Sequence, residues 1–400
     1  MKTAKGECRG KGKFIGLALV AVWGMLLVSA CQSNNPTEVS MPIRVATFNV
    51  SMEARNYQSD SALLSDQVLP QALDARAEQI MNIAKVIQTV RPDIVLLNEF
   101  DYSATPYATI EHFKQQFLNV GDQPVDYPYV YTSPVNTGEL FPVDLDGDGE
   151  IRQPADTYGF GYFPGHYGMV LLSRYPIVHQ AVRTFQTFRW QDMPDALAPE
   201  IDGQPYYQPE QWQAMRLSSK SHWDVPVKVG DTEVHILASH PTPPVFDGPE
   251  DRNGRRNHDE IRLWLDYVAG NADYLYDDHG AYGGLAQGAH FVIVGDLNAS
   301  ATEGDGRRVM MQRLLNHPRV YDPKPASPGA SAARPDQPGS EYHTAAWGMR
   351  ADYVLPSQSL TAQASGVFWP TPEEPLHYLV KDRQSSSDHR LVWVDLLLPE

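Results

Sequence analysis

The sequence predicts an α/β layered domain, because short apolar runs typical of buried strands alternate with segments of helical periodicity. Residues 94–99 and 291–294 are apolar runs of strand length, and the second is the pattern expected of a strand covered on both faces. Residues 80–90 and 261–268 have the apolar spacing of helices. Residues 228–240 are predicted to form a hairpin around a Gly-Asp turn.

Three long segments interrupt this alternation and are predicted to be loops. They span residues 136–164, 190–218 and 321–341, and the last is rich in Pro, Ala, Ser and Gly. Loops of this length in a compact domain tend to be functional or mobile. No internal repeat is visible at a fixed period, so residues 43–400 are interpreted as one large domain.

Polar side chains stand at the ends of the predicted strands. Four apolar runs each end in such a residue, and a fifth strand, at residues 391–394, is preceded by an Asp-His pair. Oxygen and imidazole ligands collected at one rim of a sheet are typical of a metal-assisted hydrolytic site. The residues concerned are Asn49, Glu99, His240 and Asp296 at the strand ends, Asn298 just beyond the fourth, and Asp388 and His389 before the fifth.

The order of these motifs resembles the endonuclease/exonuclease/phosphatase family, which includes pancreatic-type DNases, abasic-site endonucleases, inositol polyphosphate phosphatases and bacterial sphingomyelinases. Its most specific parts here are the Gly-Asp-Leu-Asn run at 295–298 and Ser-Asp-His at 387–389. The resemblance covers residues 43–398 and implies a four-layer sandwich, with two mixed β-sheets packed face to face and helices outside. The family's glutamate usually follows Gln, whereas Asn98 precedes Glu99 here.

The resemblance also implies a role for each site residue. Glu99 is the principal metal ligand, with Asn49 and Asp388 beside it. Asp296 orients or deprotonates the attacking water, and Asn298 steadies the phosphoryl oxygens. A shared orientation for this pair is expected if the strand continues through both. His389 contacts the scissile phosphate, Asp352 hydrogen-bonds His389, and His240 is an acid for the leaving oxygen or a phosphate clamp.

Each of these residues also has an ordinary structural interpretation. Glu99 would alone be read as a strand-end carboxylate facing solvent, and Asp296 with Asn298 as a tight turn. Asp352 could be a strand-edge residue, and His240 could cap the following loop. In pancreatic-type DNases a Glu supports the equivalent of His240, and the sequence shows no counterpart for it.

Two further clusters leave alternatives open. Arg252, Arg255 and Arg256 form either a phosphate clamp at the rim of the site or a solvated loop leading into a helix. Asp144, Asp146 and Asp148 begin a calcium-binding loop pattern, but Ala155 stands where the bidentate Glu is expected. A structural Ca²⁺ site and an acidic turn are both consistent with that sequence.

The first thirty residues resemble a bacterial lipoprotein signal peptide. A basic beginning and an apolar stretch from Phe14 to Val28 lead to small residues before Cys31. Cleavage there would leave Cys31 lipidated at the start of a tether spanning residues 31–42, and the alternative is an uncleaved anchor. Gln32 favours the outer membrane, facing the periplasm or the cell surface. The remaining cysteine, Cys8, lies in the leader, so the catalytic domain has neither a thiolate metal site nor a disulfide.

The charge balance bears on the substrate. The formal net charge is −17, and because the leader has five basic residues and one acidic residue, its removal brings the value to about −21. A protein that grips duplex DNA usually has a basic surface, so the acidic balance favours a small or membrane-presented phosphate ester.

The sequence therefore predicts a phosphodiesterase or phosphatase that requires Mg²⁺ or Mn²⁺. Its expected partners are a phosphate-ester substrate (a small molecule, a lipid head group or nucleic acid) and a membrane reached through the lipid anchor; no protein partner is predicted. An extracellular nuclease of the same family is the alternative within the enzyme class. A surface-anchored binding protein without catalysis is the alternative from another class.

Overall fold

A computed structural model describes residues 42–399 of the protein, so the predicted signal peptide, Cys31 and all but the last residue of the tether lie outside the described residues. Within that range the chain folds into two large mixed sheets with helices on their outer faces. The strands are β1 (Ile43–Met52), β2 (Ile94–Phe100), β3 (Tyr129–Tyr131), β4 (Met169–Ser173), β5 (Arg183–Thr184), β6 (Glu200–Ile201), β7 (Gln204–Pro205), β8 (His222–Val229), β9 (Thr232–Ser239), β10 (His290–Asp296), β11 (Asp352–Pro356), β12 (Thr361–Val367) and β13 (Val392–Leu397).

Each large sheet has one parallel strand pair near its middle. The six-stranded sheet has the order β12-β13-β1-β2-β4-β3, and β1 and β2 run parallel. The five-stranded sheet has the order β11-β10-β9-β8-β5, and β9 and β10 run parallel. Since parallel strands end at the same edge, these two pairs bring four strand ends to one rim of the sandwich. Strands β6 and β7 form a separate two-stranded ribbon.

Alternation along the second sheet shows how the layers are built. On β10, Val292 and Val294 belong to the core shared with the first sheet, whereas Phe291 and Ile293 pack into a second core with the helix at 252–269. Successive strand residues point to opposite faces, so a continuous apolar run is what a strand between two buried layers needs. The predicted four-layer α/β sandwich is thus confirmed.

Helices flank both sheets and complete the outer layers. The predicted helices at 80–90 and 261–268 are confirmed, as is the hairpin, in which Val229 pairs with Thr232. The helices are α1 (Ala54–Tyr57), α2 (Val68–Asp74), α3 (Glu78–Val90), α4 (Pro106–Phe113), α5 (Pro209–Ala214), α6 (Arg252–Ala269), α7 (Arg308–Leu315) and α8 (Pro328–Ala333).

Two expectations about loops need correction. The alternative reading of the arginine cluster at 252–256 as a loop is wrong, because α6 begins at Arg252 and its first turns contain all three arginines. The segment 190–218 contains β6, β7 and α5, and the segment 321–341 contains α8, so neither is entirely irregular. Among residues 42–399, helices that are both long and apolar enough to cross a bilayer are absent.

Candidate active site

The ends of β1 and β2 carry adjacent polar residues into the rim. Asn49 pairs with Asn98 in the parallel ladder, and the next pair is Met52 with Phe100, so β1 contains an extra residue and bulges. Glu99 has φ 57°, a left-handed backbone conformation that is uncommon outside glycine. Strain of this kind is concentrated at functional sites. The turn separates two neighbouring side chains: Asn98 is fully buried, whereas Glu99 lines the cavity at the rim.

Asp296, the last residue of β10, lies at the centre of the site. Its Oδ2 accepts a hydrogen bond of 3.1 Å from Asn49 Nδ2 in the opposite sheet. The same oxygen lies 3.4 Å from His240 Nε2 and 3.6 Å from His389 Nε2. Asn98 Oδ1 accepts from the Asp296 backbone N–H at 3.2 Å, which adds a second bond between the sheets. One carboxylate oxygen therefore faces an amide and two imidazoles.

The expectation that Asp296 and Asn298 share an extended strand is wrong. β10 ends at Asp296, and Asn298 has φ 50°. Its backbone N–H donates to Asp296 Oδ1 at 3.0 Å, so the pair forms the tight turn that was the structural alternative. Asn298 Nδ2 donates to the carbonyl of Pro241 at 3.1 Å, which ties this turn to the segment after His240.

His389 is held by the carboxylate that the resemblance assigned to it. Asp352 Oδ2 lies 2.9 Å from His389 Nδ1, and it also accepts from Thr344 Oγ1 at 2.7 Å. Both Asp352 and Thr344 are buried. This bond keeps Nδ1 of His389 protonated and turns Nε2 toward Asp296. Trp347 packs edge-on against the His389 ring, with 4.9 Å between centroids.

The two histidines have opposite protonation preferences. Burial lowers the pKa of His389, but the negative charges of Asp352 and Asp296 outweigh it and raise that pKa above its ordinary value. Burial and the neighbouring charge of Lys220 hold the pKa of His240 below its ordinary value. For Asp296, burial is outweighed by His389 and His240, so its pKa is lowered. The site therefore favours a charged His389, a neutral His240 and an ionised Asp296.

His240 lacks the supporting carboxylate expected from pancreatic-type DNases. Its Nδ1 is buried and has no hydrogen-bond partner among residues 42–399. The nearby buried Glu260 serves the backbone instead: its oxygens accept from the N–H groups of Ser219 at 2.7 Å and Thr242 at 2.6 Å. Glu260 thus fixes the two segments that bring Lys220 and His240 to the site.

Three carboxylates converge beside this group on one guanidinium. Arg383 donates to Asp388 Oδ2 at 2.9 Å and to Glu53 Oε1 at 3.3 Å, and its Nη2 lies 4.0 Å from Glu99 Oε2. Carboxylate oxygens gathered around a single positive charge are the donor set that a hard divalent cation prefers. Glu99 and Asp388 therefore present donors of the type that a divalent cation needs, and Arg383 is the positive charge among them. That Glu99, Asp388 and Asn49 hold a metal ion stays a prediction.

Replacing Arg383 with Gln is expected to tighten the binding of Mg²⁺ or Mn²⁺. The arginine competes with the ion for the same carboxylates, and because its side chain is 39% exposed the gain should be modest, about two- to tenfold in Kd. Isothermal titration and the electron paramagnetic resonance of bound Mn²⁺ measure this without reference to turnover. The matched control is Arg313→Gln on the exposed face of α7. Weaker binding in Arg383→Gln would mean that the arginine positions the carboxylates.

A cavity of about 1010 Å³ opens directly onto Glu99 and His240. Residues of the segments 136–164 and 190–218 line it, as do residues between Thr242 and Arg256. Two large aromatic side chains in its lining are exposed, Phe160 by 55% and Phe246 by 88%. Two of the three predicted loop segments therefore border the site, whereas the residues Ser331–Glu341 of the third line a separate surface depression.

The three arginines proposed as a clamp have different surroundings. Arg256 is buried and donates to the carbonyls of Leu217 and Ser218 at 2.8 and 3.1 Å. Arg255 donates to the carbonyl of Ala198 at 3.0 Å, and Arg252 pairs with Glu250. Arg252 and Arg256 line the cavity. Their contact with phosphate stays a prediction, and it fits Arg252 best because Arg256 is engaged with backbone.

The predicted calcium loop forms a tight acidic turn. Asp144 accepts from the N–H groups of Gly147 and Gly149 at 2.6 and 2.8 Å, and Asp148 pairs with Arg152. Ligand atoms of Asp144, Asp146 and Asp156 lie within 4.8 Å of one another, so Asp156 rather than Asp148 completes this group. Calcium binding at this turn stays a prediction.

Three residues at the site were not anticipated. Glu53 is buried beside His166, whose Nε2 lies 3.1 Å from Glu53 Oε2. Lys220 lines the cavity, and Arg383 lies among the carboxylates. Glu53 is four residues past Asn49 and Arg383 five before Asp388, so a search near the motifs could have found them. Lys220 is near no motif in sequence.

Carboxylates, amides and histidines at the rim of a four-layer α/β sandwich define the class of metal-dependent phosphoester hydrolases. The chain belongs to the Endonuclease/Exonuclease/phosphatase family, whose profile matches residues 46–389. Hydrolases of this family act on phosphoester bonds and use divalent metal ions. A comparison with curated protein sequences found no match.

Solved structures with the same fold include an endonuclease/exonuclease/phosphatase from Beutenbergia cavernae DSM 12333, at a TM-score of 0.51 and 19% identity over 90% of this chain and 72% of that one. The human Nocturnin catalytic domain with bound sulfate matches with a TM-score of 0.45 and 13% identity over 90% of this chain and 95% of that one. A beta toxin variant from Staphylococcus aureus with bound magnesium ions has a TM-score of 0.44 and 12% identity, covering 88% and 99% of the two chains. The first of these supports the fold alone.

Proposed function

We propose that the protein is a divalent-metal-dependent phosphodiesterase or phosphatase in which an activated water attacks phosphorus in line with the leaving oxygen. The observation that carries this proposal is the convergence of Asn49, His240 and His389 on one oxygen of Asp296, beside a cavity that His240 and Glu99 line. An ionised carboxylate accepts a proton, and imidazoles and amides donate to phosphoryl oxygens.

The proposed reaction needs no covalent enzyme intermediate. Asp296 takes a proton from water as the new bond between the water oxygen and phosphorus forms. The bond from phosphorus to the leaving oxygen breaks at the same time. His389 and His240 stabilise the negative charge of the transition state or protonate the leaving oxygen, and Asn298 steadies the phosphoryl group.

Glu99 and Asp388, with Asn49, are the residues proposed to hold Mg²⁺ or Mn²⁺. When bound, the ion supplies positive charge that polarises a phosphoryl oxygen. Glu53 contributes a further carboxylate to the same centre. At the turn that contains Asp144 and Asp146 we propose a structural Ca²⁺.

The lining of the cavity supports a small molecule or a lipid head group as the substrate. The insertions at 136–164 and 190–218 contribute to its walls, and the net charge of −17 disfavours a long duplex. A nuclease remains the second candidate, supported by the exposed rings of Phe160 and Phe246 near Arg55 and Arg252. Aromatic rings beside arginines are used to stack the bases of single strands.

Hydrolysis of bis-(p-nitrophenyl) phosphate and of p-nitrophenyl phosphate tests this proposal. We expect cleavage of the diester or the monoester in Mg²⁺ or Mn²⁺ and none in EDTA. If activity on DNA or RNA is found and falls steeply with salt, the nuclease is favoured, because binding to a polyanion weakens as counterions are added. No turnover of these esters, phospholipids or nucleic acids would favour the other alternative, a surface-anchored binding protein without catalysis.

We further propose that the protein is exported and anchored in the outer membrane through a lipidated Cys31. The support is the sequence pattern of the first thirty residues. Metabolic labelling with a radioactive fatty acid should mark the wild-type protein and not Cys31→Ala. Equal labelling of the two would overturn the proposal.

A further inference from the structure

Lys220 is a buried cation that faces the reaction site. It lies in the short segment before β8, and its side chain lines the same cavity as Glu99 and His240. Only 6% of Lys220 is exposed. The negative charges that act most strongly on Lys220 are those of Glu260, Glu99 and Asp296. All three belong to the site or support it.

Within residues 42–399 the Lys220 ammonium has neither a hydrogen bond nor an ion pair. Glu260, the carboxylate whose charge acts most strongly on Lys220, accepts instead from two backbone N–H groups, one on each oxygen. Burying an ammonium without a partner is costly, and the cost lowers the pKa of Lys220. An ammonium at the cavity wall without a structural partner is available to bind an anion there.

Arg256, another buried cation in the cavity lining, has a structural role and so provides a comparison for Lys220. Its guanidinium donates to the carbonyls of Arg216, Leu217 and Ser218 and so holds the segment that leads to Lys220. Lys220 makes no such contacts, although its own carbonyl accepts from the N–H of Asn136 at 3.0 Å. The backbone at Lys220 is therefore fixed, while the ammonium is free to contact a molecule bound in the cavity.

We propose that Lys220 is a further catalytic residue, which donates a hydrogen bond to an oxygen of the substrate phosphoryl group beside His240. This inference rests on the proposed function. Its physical basis is that a preorganised ammonium in a site shielded from water stabilises the charge that develops on phosphoryl oxygens. It would also compensate for a neutral His240, whose Nδ1 lacks a carboxylate.

The test compares Lys220→Met and Lys220→Arg with Lys228→Met, a matched control at the far end of β8. We expect Lys220→Met to lower kcat/KM for the preferred phosphate ester by about 10- to 100-fold, the usual effect of losing one charge-assisted hydrogen bond. Lys220→Arg should recover part of the loss. The control should behave as wild type.

Two readouts separate a catalytic role from a structural one. Binding of inorganic phosphate, measured by calorimetry, should weaken in Lys220→Met and stay unchanged in the control. The Tm of Lys220→Met should equal or exceed that of wild type, because an unpaired buried charge has been removed. Unchanged kcat/KM and phosphate affinity, or a Tm lowered by several degrees, would overturn the inference. If the wild type hydrolyses no ester, the proposed function fails, and phosphate binding still decides the role of Lys220.

Discussion

Replacing Asp296 with Asn is expected to abolish nearly all hydrolysis, lowering kcat/KM by a factor on the order of 10³ to 10⁴. The substitution keeps the size of the side chain but removes the negative charge on which Asn49, His240 and His389 converge. An amide does not take the proton of water, and its NH₂ group would oppose either the imidazole N–H groups or the backbone N–H of Asn298. Assays of diester and monoester hydrolysis at saturating metal measure the loss.

The matched control is Asp231→Asn in the exposed turn between β8 and β9. It should have wild-type kcat/KM and Tm. The folded state of Asp296→Asn is checked by its Tm and by metal binding, which should be retained because Glu99 and Asp388 are untouched. A loss of less than about tenfold would show that another group activates water, and the assignment of Asp296 would fail.

The sequence predicted the fold because its strongest patterns are local. An apolar run such as Phe291–Val294 is typical of a strand that is buried on both faces, and a polar residue that follows it is expected at a sheet edge. Asn49, Glu99, His240 and Asp296 could therefore be placed at strand ends from the printed sequence alone. Their convergence depends on two parallel pairs, β1 with β2 and β9 with β10, which periodicity did not predict. The resemblance implied only that both sheets are mixed.

What the sequence could not predict depends on backbone conformation and on contacts between distant segments. The left-handed φ of Glu99 has no strong local signal in the sequence. That of Asn298 belongs to the Asx turn, which the sequence offered only as the structural alternative. Arg383 meets Glu53 across 330 residues of chain. Lys220 precedes a strand in an unremarkable Ser-Ser-Lys-Ser run, so only the structure shows that it is buried beside the site.

The cluster at Arg252 shows a different limit of prediction from sequence, because its loop alternative was wrong and its phosphate clamp stays a prediction. Three arginines in five positions indicated a loop or a clamp, yet the residues occupy the first turns of α6. Their donors are taken by the carbonyls of Leu217 and Ala198 and by Glu250. A motif judged by charge alone cannot reveal how many of its hydrogen bonds the fold itself will use.

Replacing Asp352 with Asn should lower kcat by a factor on the order of 10³, although His389 is the only predicted site residue that its carboxylate hydrogen-bonds. A carboxylate behind an imidazole fixes its tautomer and stabilises its positive charge, whereas a neutral amide does not stabilise that charge and can also favour the wrong tautomer. Thr344→Val is the graded comparison, because it keeps the Asp352 carboxylate but removes the 2.7 Å bond that Thr344 donates to it. It also removes the bonds that Thr344 Oγ1 accepts from the backbone N–H groups of Ala351 and Asp352, so a fall in Tm should accompany a loss in kcat of about tenfold. Equal activity of Asp352→Asn and wild type would mean that His389 needs no partner.

The same substitution should change the pH dependence in a fixed direction. Asp352 raises the pKa of His389, so the charged imidazole persists above neutral pH in wild type, and Asp352→Asn should move the basic limb of the kcat profile to lower pH, by about 1–3 units.

For stability, the folded pKa of His389 exceeds its unfolded value of about 6.5. The contribution of His389 to stability is therefore complete below that pH and is lost as pH rises through its folded pKa. Thermal unfolding from pH 5 to 10 should show this loss in wild type and not in Asp352→Asn, and parallel profiles would contradict the charged pair.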